Sequence, residues 1–308
     1  MAYPSLGDLL RDLTGLDLSL PIPTFGLLVA LALLATVHLA ESELRRKHVA
    51  GEMPLAERRG KLKDGELSLV PAYELLTGLA LVMVFAGLIG ARVFHLLEYW
   101  DDFIRDPMRM IFTRNGFTIF GGLVFGLLAG AVYARRHRMP LPQLADAIAP
   151  AMMMGYAIGR IGCQLSGDGD WGIAADVSLK PSWVPLWLWA QTYEGNVAGV
   201  LIEPPGVYPT PIYETVMALG AFAILWALRK HPWRAGWLFF LFLLLTGIER
   251  LLIEQIRVNA TFELFGLQLT QAEIIAAAML AVGATGVLVL RRPRLRNASQ
   301  ETAATAER

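Results

Sequence analysis

Three arginines sit where an ion is costly. Arg92, Arg160 and Arg250 fall within long apolar stretches of the chain. An ionised side chain at that depth of a bilayer costs about 2.5–3.5 kcal/mol on insertion scales, so each calls for an explanation. A planar guanidinium holds a phosphate through two parallel hydrogen bonds. At membrane depth, the phosphate at hand belongs to a phospholipid head group. The bland alternative is that each arginine pairs with a carboxylate and only locks helices together.

The neighbours of these arginines add candidate chemistry. Arg92, His95 and Tyr99 fall at i, i+3 and i+7, on one helical face. His95 is either an acid–base group or an interfacial structural histidine. Arg250, Glu254 and Arg257 form a second such face, with Glu254 either holding Arg250 or taking part in the reaction. Arg160 opens a glycine-rich run from Gly159 to Gly172. In that run Asp168 and Asp170 either cap turns or meet substrate, and the glycines imply tight backbone geometry. Cys163 reads as a small packing residue rather than a nucleophile.

These residues need a scaffold, and the composition says which kind. Of 308 residues, 55% are hydrophobic and 18% charged, with no net charge. No global positive field points to nucleic acid. The single cysteine excludes an internal disulfide and the usual cysteine-based metal sites. No metal and no cofactor is expected. A bilayer core takes about 20 apolar residues per helix. Seven such stretches are present, near 23–41, 74–97, 116–134, 146–165, 212–230, 235–256 and 271–290. The expected fold is all-α: one polytopic membrane-embedded domain over residues 1–308, ending in a cytoplasmic tail, 291–308. Ahead of the first stretch, Leu9, Leu10, Leu13 and Leu16 suit an amphipathic surface helix or a loose arm.

Lys and Arg placement sets the orientation. Arg45, Arg46, Lys47, Arg58, Arg59, Lys61 and Lys63 follow the first stretch. Arg135, Arg136 and Arg138 follow the third, Arg229, Lys230 and Arg234 the fifth, and Arg291, Arg292, Arg294 and Arg296 the seventh. The alternation predicts an extracytoplasmic N-terminus and a cytoplasmic C-terminus. All three intramembrane arginines then lie in the outer half. Glycine rows at Gly122, Gly126 and Gly130 and at Gly155 and Gly159 are expected at close helix contacts.

Three segments resemble the bacterial prolipoprotein diacylglyceryl transferase family. Gly159–Gly172 is similar to its Gly-Arg-x-Gly signature with a closing Trp-Gly step. Tyr208-Pro209-Thr210-Pro211-Ile212-Tyr213-Glu214 is similar to its His-Pro-x-Gln-x-Tyr-Glu motif. Glu249–Arg257 is similar to its Arg-x-x-x-Glu-x-x-Arg motif. The resemblance implies that Arg160 and Arg250 bind the phospholipid, with Glu254 beside the second. It implies phosphatidylglycerol as donor, the lipobox cysteine in the signal segment of a preprolipoprotein as acceptor, and the bacterial inner membrane as the place. Arg160, Arg250, Glu254 and His95 are the catalytic candidates. Arg160, Arg250, Arg92, Asp168, Asp170, Gly172 and Tyr213 are the substrate-binding candidates. This chain departs from the family at Cys163, where Asn is usual, and at Phe120, where the family carries a histidine before two glycines. A paralogue with another acceptor and a non-catalytic phospholipid-binding or transport protein are the rival readings. Transport is disfavoured by the lack of repeated halves.

Overall fold

The computed structural model describes residues 1–16, 20–58, 68–112, 116, 118–264 and 267–292. Arg59, Lys61, Lys63, Arg294 and Arg296, and the tail from 293, lie outside the described residues. Every one of the seven apolar stretches is the body of a helix. In chain order the helices are α1 (Leu6–Thr14), α2 (Thr24–Val49), α3 (Leu76–Glu98), α4 (Trp100–Arg105), α5 (Pro107–Phe112), α6 (Ile119–Arg136), α7 (Leu141–Ser166), α8 (Thr210–Leu228), α9 (Trp237–Glu254) and α10 (Gln271–Leu290). Among the described residues, four helical stretches are long and apolar enough to cross a membrane: Thr24–Val49, Ala72–Glu98, Thr210–Leu228 and Gln271–Leu290. The protein is therefore a helical membrane protein.

Two short hairpins depart from an all-helical expectation. β1 (Ala56–Arg58) pairs antiparallel with β2 (Ser68–Val70), and β3 (Thr261–Leu264) with β4 (Leu267–Thr270). The N-terminal stretch is a helix rather than a loose arm. Ser5 and Asp8 close a capping box at its start, and Gly15 ends it in the left-handed region.

The chain forms two compact units. One comprises Met1–Leu39 and Ala145–Arg308, the other Ala40–Leu144. In the second unit α3 packs on α6 through glycines. A Cβ on Gly126 would stand 3.3 Å from the Met83 carbonyl oxygen, and one on Gly130 2.9 Å from the Met83 side chain. The expected row on the third stretch is thus a packing surface. In the first unit Gly155 faces Thr36 in the same way, but Gly159 has nothing within 4 Å of its Cβ position. Among the described residues, Gly159 is thus not at a close helix contact.

The first unit's core joins α7, α8 and α9 through Ala149, Met153, Ala221, Leu225, Trp237, Leu238 and Phe242. Asp146 fixes the start of α9. Its buried carboxylate accepts from the Gly236 N–H at 2.8 Å and the Phe239 N–H at 3.0 Å. These are donors the helix cannot satisfy itself. Asp146→Ala leaves them buried and unpaired, at a cost of about 1–3 kcal/mol. A lowered melting temperature of the detergent-solubilised protein is the expected result.

Candidate functional site

The sequence places Arg160 one turn and a half before the end of α7, and Arg250 just over a turn before the end of α9. Arg257 follows the end of α9, and Glu214 lies in the second turn of α8. The fold brings all four together. Glu214 is 1% exposed, and its Oε1 is the meeting point. Arg160 Nη2 lies 3.0 Å from it, Arg257 Nη1 3.3 Å and Arg250 Nη1 3.9 Å. The Tyr156 hydroxyl donates to the same oxygen at 3.1 Å and accepts from Arg160 Nε at 3.2 Å.

Asp170 closes the other side. One of its oxygens pairs with Arg160 and the other with Arg257 Nη2 at 2.5 Å. Burial by itself would raise this carboxyl. The two guanidiniums outweigh it and hold the group below the usual carboxylate range. A depressed pKa contributes stability that is present above the unfolded value and lost as pH falls through the folded one. The Asp170 contribution to the melting temperature should therefore stay level from pH 7 to about 5 and be lost only on acidification below the ordinary aspartate pKa of about 3.9. Asp170→Asn should blunt that acid fall.

The backbone around Asp170 is held tightly. Asp168 Oδ1 accepts from the Asp170 N–H at 3.2 Å, and Thr210 Oγ1 donates to the Asp170 carbonyl at 2.7 Å. So Asp168 acts in the turn, and Asp170 in the ion cluster. Gly172 bonds to the Tyr208 carbonyl at 2.9 Å and bridges to Arg257. A Cβ there would stand 2.5 Å from the Ile256 carbonyl oxygen, so only glycine lets the loop run between Tyr208 and the end of α9. Tyr213 donates to the Leu188 carbonyl at 2.6 Å, tying the long connection to α8. Its hydroxyl is thus committed to the backbone.

Arg250 also pairs with Glu254, Nη2 to Oε2 at 2.9 Å, and Asn259 Nδ2 donates to Glu254 Oε1 at 2.6 Å. Cys163 is buried, with Sγ 3.6 Å from Arg160 Nη1. Cys163, Asp168 and Asp170 offer a thiol and two carboxylate oxygens within 4.8 Å of one another. Both Asp170 oxygens are already committed to guanidiniums, which fits ion pairing better than metal ligation.

Arg92 and His95 belong to the second unit. Arg92 donates to the Gly116 carbonyl at 2.7 Å and the Ile111 carbonyl at 2.9 Å, tying α3 to Gly116 and to α5. His95 packs on Tyr99, ring centroids 4.8 Å apart, and against Gly116. Glu214 and Arg257 join the site in addition to the candidates named from the sequence. The signal was there: a glutamate inside an apolar stretch, and a third arginine in register with Arg250.

Fold and cluster define a helical membrane protein with a buried arginine–carboxylate centre. The chain belongs to the prolipoprotein diacylglyceryl transferase family, whose model matches residues 14–289. It is 27% identical over 273 residues to the phosphatidylglycerol–prolipoprotein diacylglyceryl transferase of Bacillus cytotoxicus, covering 88% of this chain and 89% of that one. It is 28% identical over 263 residues to the protein of that name from Leptospira interrogans, covering 77% and 71%. To the second such transferase of Streptomyces coelicolor it is 28% identical over 233 residues, covering 72% and 68%.

Proposed function

We propose that this protein transfers the diacylglyceryl group of phosphatidylglycerol to the lipobox cysteine of a preprolipoprotein. The observation that carries the reading is the convergence of Arg160, Arg250 and Arg257 on one carboxylate oxygen of Glu214. Glu214 keeps the guanidiniums in place before lipid arrives. Arg250 has the most exposed side chain of the three, at 27%, and is the natural first contact for an entering phosphate. Arg160 and Arg250 then hold the phosphate between them. Asp170 and Glu254 keep their orientations, and Gly172 and Tyr213 hold the surrounding backbone. Arg92 and His95 have secondary roles, since both are engaged with the chain around Gly116.

In the reaction the acceptor sulfur attacks the glyceryl carbon that bears the phosphate. The sulfur–carbon bond forms, the carbon–oxygen bond breaks, and glycerol phosphate leaves with the bonding pair. A free thiol has a pKa of about 8.5, so some thiolate is present at neutral pH. The guanidiniums neutralise charge growing on the leaving phosphate, as donors do in an oxyanion site.

The reading includes a single membrane-embedded domain with seven spans in the bacterial inner membrane, the N-terminus outside and the C-terminus in the cytoplasm. The support is the coincidence of seven helices with seven apolar stretches, and the basic residues at alternate connections. The acceptor's signal helix reaches the site sideways through the bilayer. Complementation tests the function. Expression should restore growth and lipoprotein lipidation in a host depleted of its own diacylglyceryl transferase. Failure of this chain to do so when properly inserted would count against the reading. Consumption of phosphatidylglycerol without lipoprotein lipidation would point to another acceptor.

A further inference from the structure

Glu249 takes no part in the ion pairs described above, although it borders them. It is 5% exposed on α9, and among the described residues neither carboxyl oxygen has a hydrogen-bond partner. Its surroundings follow from register. One turn earlier, Thr246 touches Met153 of α7, and one turn later on α7 comes Tyr156, which Glu249 faces together with Glu214 of α8 and the Arg160 and Arg250 guanidiniums. The Tyr156 hydroxyl is already committed to Glu214. On the side of α10, Gly247 of α9 lies against Ala276 and Leu280.

Charge counting defines its state. Three guanidiniums, on Arg160, Arg250 and Arg257, face three carboxylates, on Asp170, Glu214 and Glu254. The cluster is balanced without Glu249. A second, unbonded carboxylate beside Glu214 would be ionised at a large desolvation cost. A bound phosphodiester brings one more negative charge and makes an ionised Glu249 costlier still.

We infer that Glu249 is the proton donor to the leaving phosphate, an inference that rests on the transfer reaction proposed above. As the sulfur–carbon bond forms and the carbon–oxygen bond breaks, the phosphate gains a second negative charge in a site already short of cations. The Glu249 proton passes to a phosphate oxygen, and glycerol phosphate leaves as a monoanion. The proton given up by the next acceptor thiol restores Glu249, so the cycle balances.

The test is the pH profile of steady-state turnover with phosphatidylglycerol vesicles and a lipobox peptide. Glu249→Gln keeps the shape and a hydrogen-bond donor but has no proton to give. Its kcat should fall by about 10²-fold or more, the usual worth of a positioned acid, with KM for phosphatidylglycerol unchanged. The wild-type alkaline decline in kcat should disappear, and Glu249→Asp should regain part of the rate together with that decline. Glu249→Gln with wild-type kcat and an unchanged alkaline limb overturns the assignment and leaves the transferase reading intact. Should Glu249→Gln fail to fold, Glu249→Asp decides: a displaced alkaline limb supports the assignment, and an unmoved one overturns it. Wild-type protein that consumes no phosphatidylglycerol refutes the reaction itself, and the inference with it.

Discussion

Arg250→Lys is expected to lower diacylglyceryl transfer by about 10²- to 10³-fold, the loss typical of one missing donor to a developing anion. Lysine keeps the positive charge but replaces a rigid two-pronged donor with a single rotating ammonium. In this site Arg250 uses two nitrogens for two jobs, Nη2 pairing with Glu254 and Nη1 turned towards Glu214. An ammonium cannot hold both and orient a phosphate as well. His95→Gln should do far less, because His95 is engaged by Tyr99 and Gly116. Transfer to a lipobox peptide, measured at matched protein levels, ranks the two. Near-normal turnover by Arg250→Lys alongside an inactive His95→Gln would reverse the proposed order and make His95 the central acid–base group.

Glu214→Gln should cost about 3–5 kcal/mol of stability, the range seen when one member of a buried ion cluster is removed. Three guanidiniums meet at a single oxygen of a side chain that is 1% exposed. Glutamine leaves an acceptor there but removes the charge, and Asp170 and Glu254 are then two carboxylates against three cations. The melting temperature should fall well below that of Asp146→Ala, and the phospholipid site should lose its pre-set geometry. A double-mutant cycle with Arg257→Gln separates coupling from general damage. Removing both partners should cost less than the sum of the two single changes. Strict additivity would mean that the 3.3 Å contact carries no energy.

The helical elements were readable because seven runs of apolar residues have no other economical fold in lipid. Their ends were not. α2 runs on to Val49, well past the apolar stretch, because the charged turns after Leu39 continue as helix and pair within it, Arg46 with Glu43 at 2.7 Å. Arg160, Arg250 and Glu254 stood out because charge within an apolar run is rare. Glu214 also lies within an apolar run, yet it is not among the candidates named from the sequence. Its partners Arg257 and Arg160 are 43 and 54 positions away in sequence, so no local spacing reports the contact. Asp170 was legible as a turn residue, since glycine and aspartate in series form turns. Its service to two arginines, one on α7 and one just past the end of α9, is a tertiary fact. Glu249 was hidden too. It entered the sequence reading only as the first residue of the Glu249–Arg257 segment, and only the packing of α7 and α8 against α9 shows that, among the described residues, its carboxyl oxygens have no hydrogen-bond partner.

The most direct test of the central claim is mass spectrometry of a lipobox peptide incubated with the purified protein and phosphatidylglycerol. Intact peptide should be replaced by peptide carrying a thioether-linked diacylglyceryl group, with one glycerol phosphate released for each peptide modified. Arg160→Leu, which removes one of the two guanidiniums proposed to hold the phosphate, should abolish both products together. Unmodified peptide with the wild-type protein, or equal product from Arg160→Leu, would contradict the account.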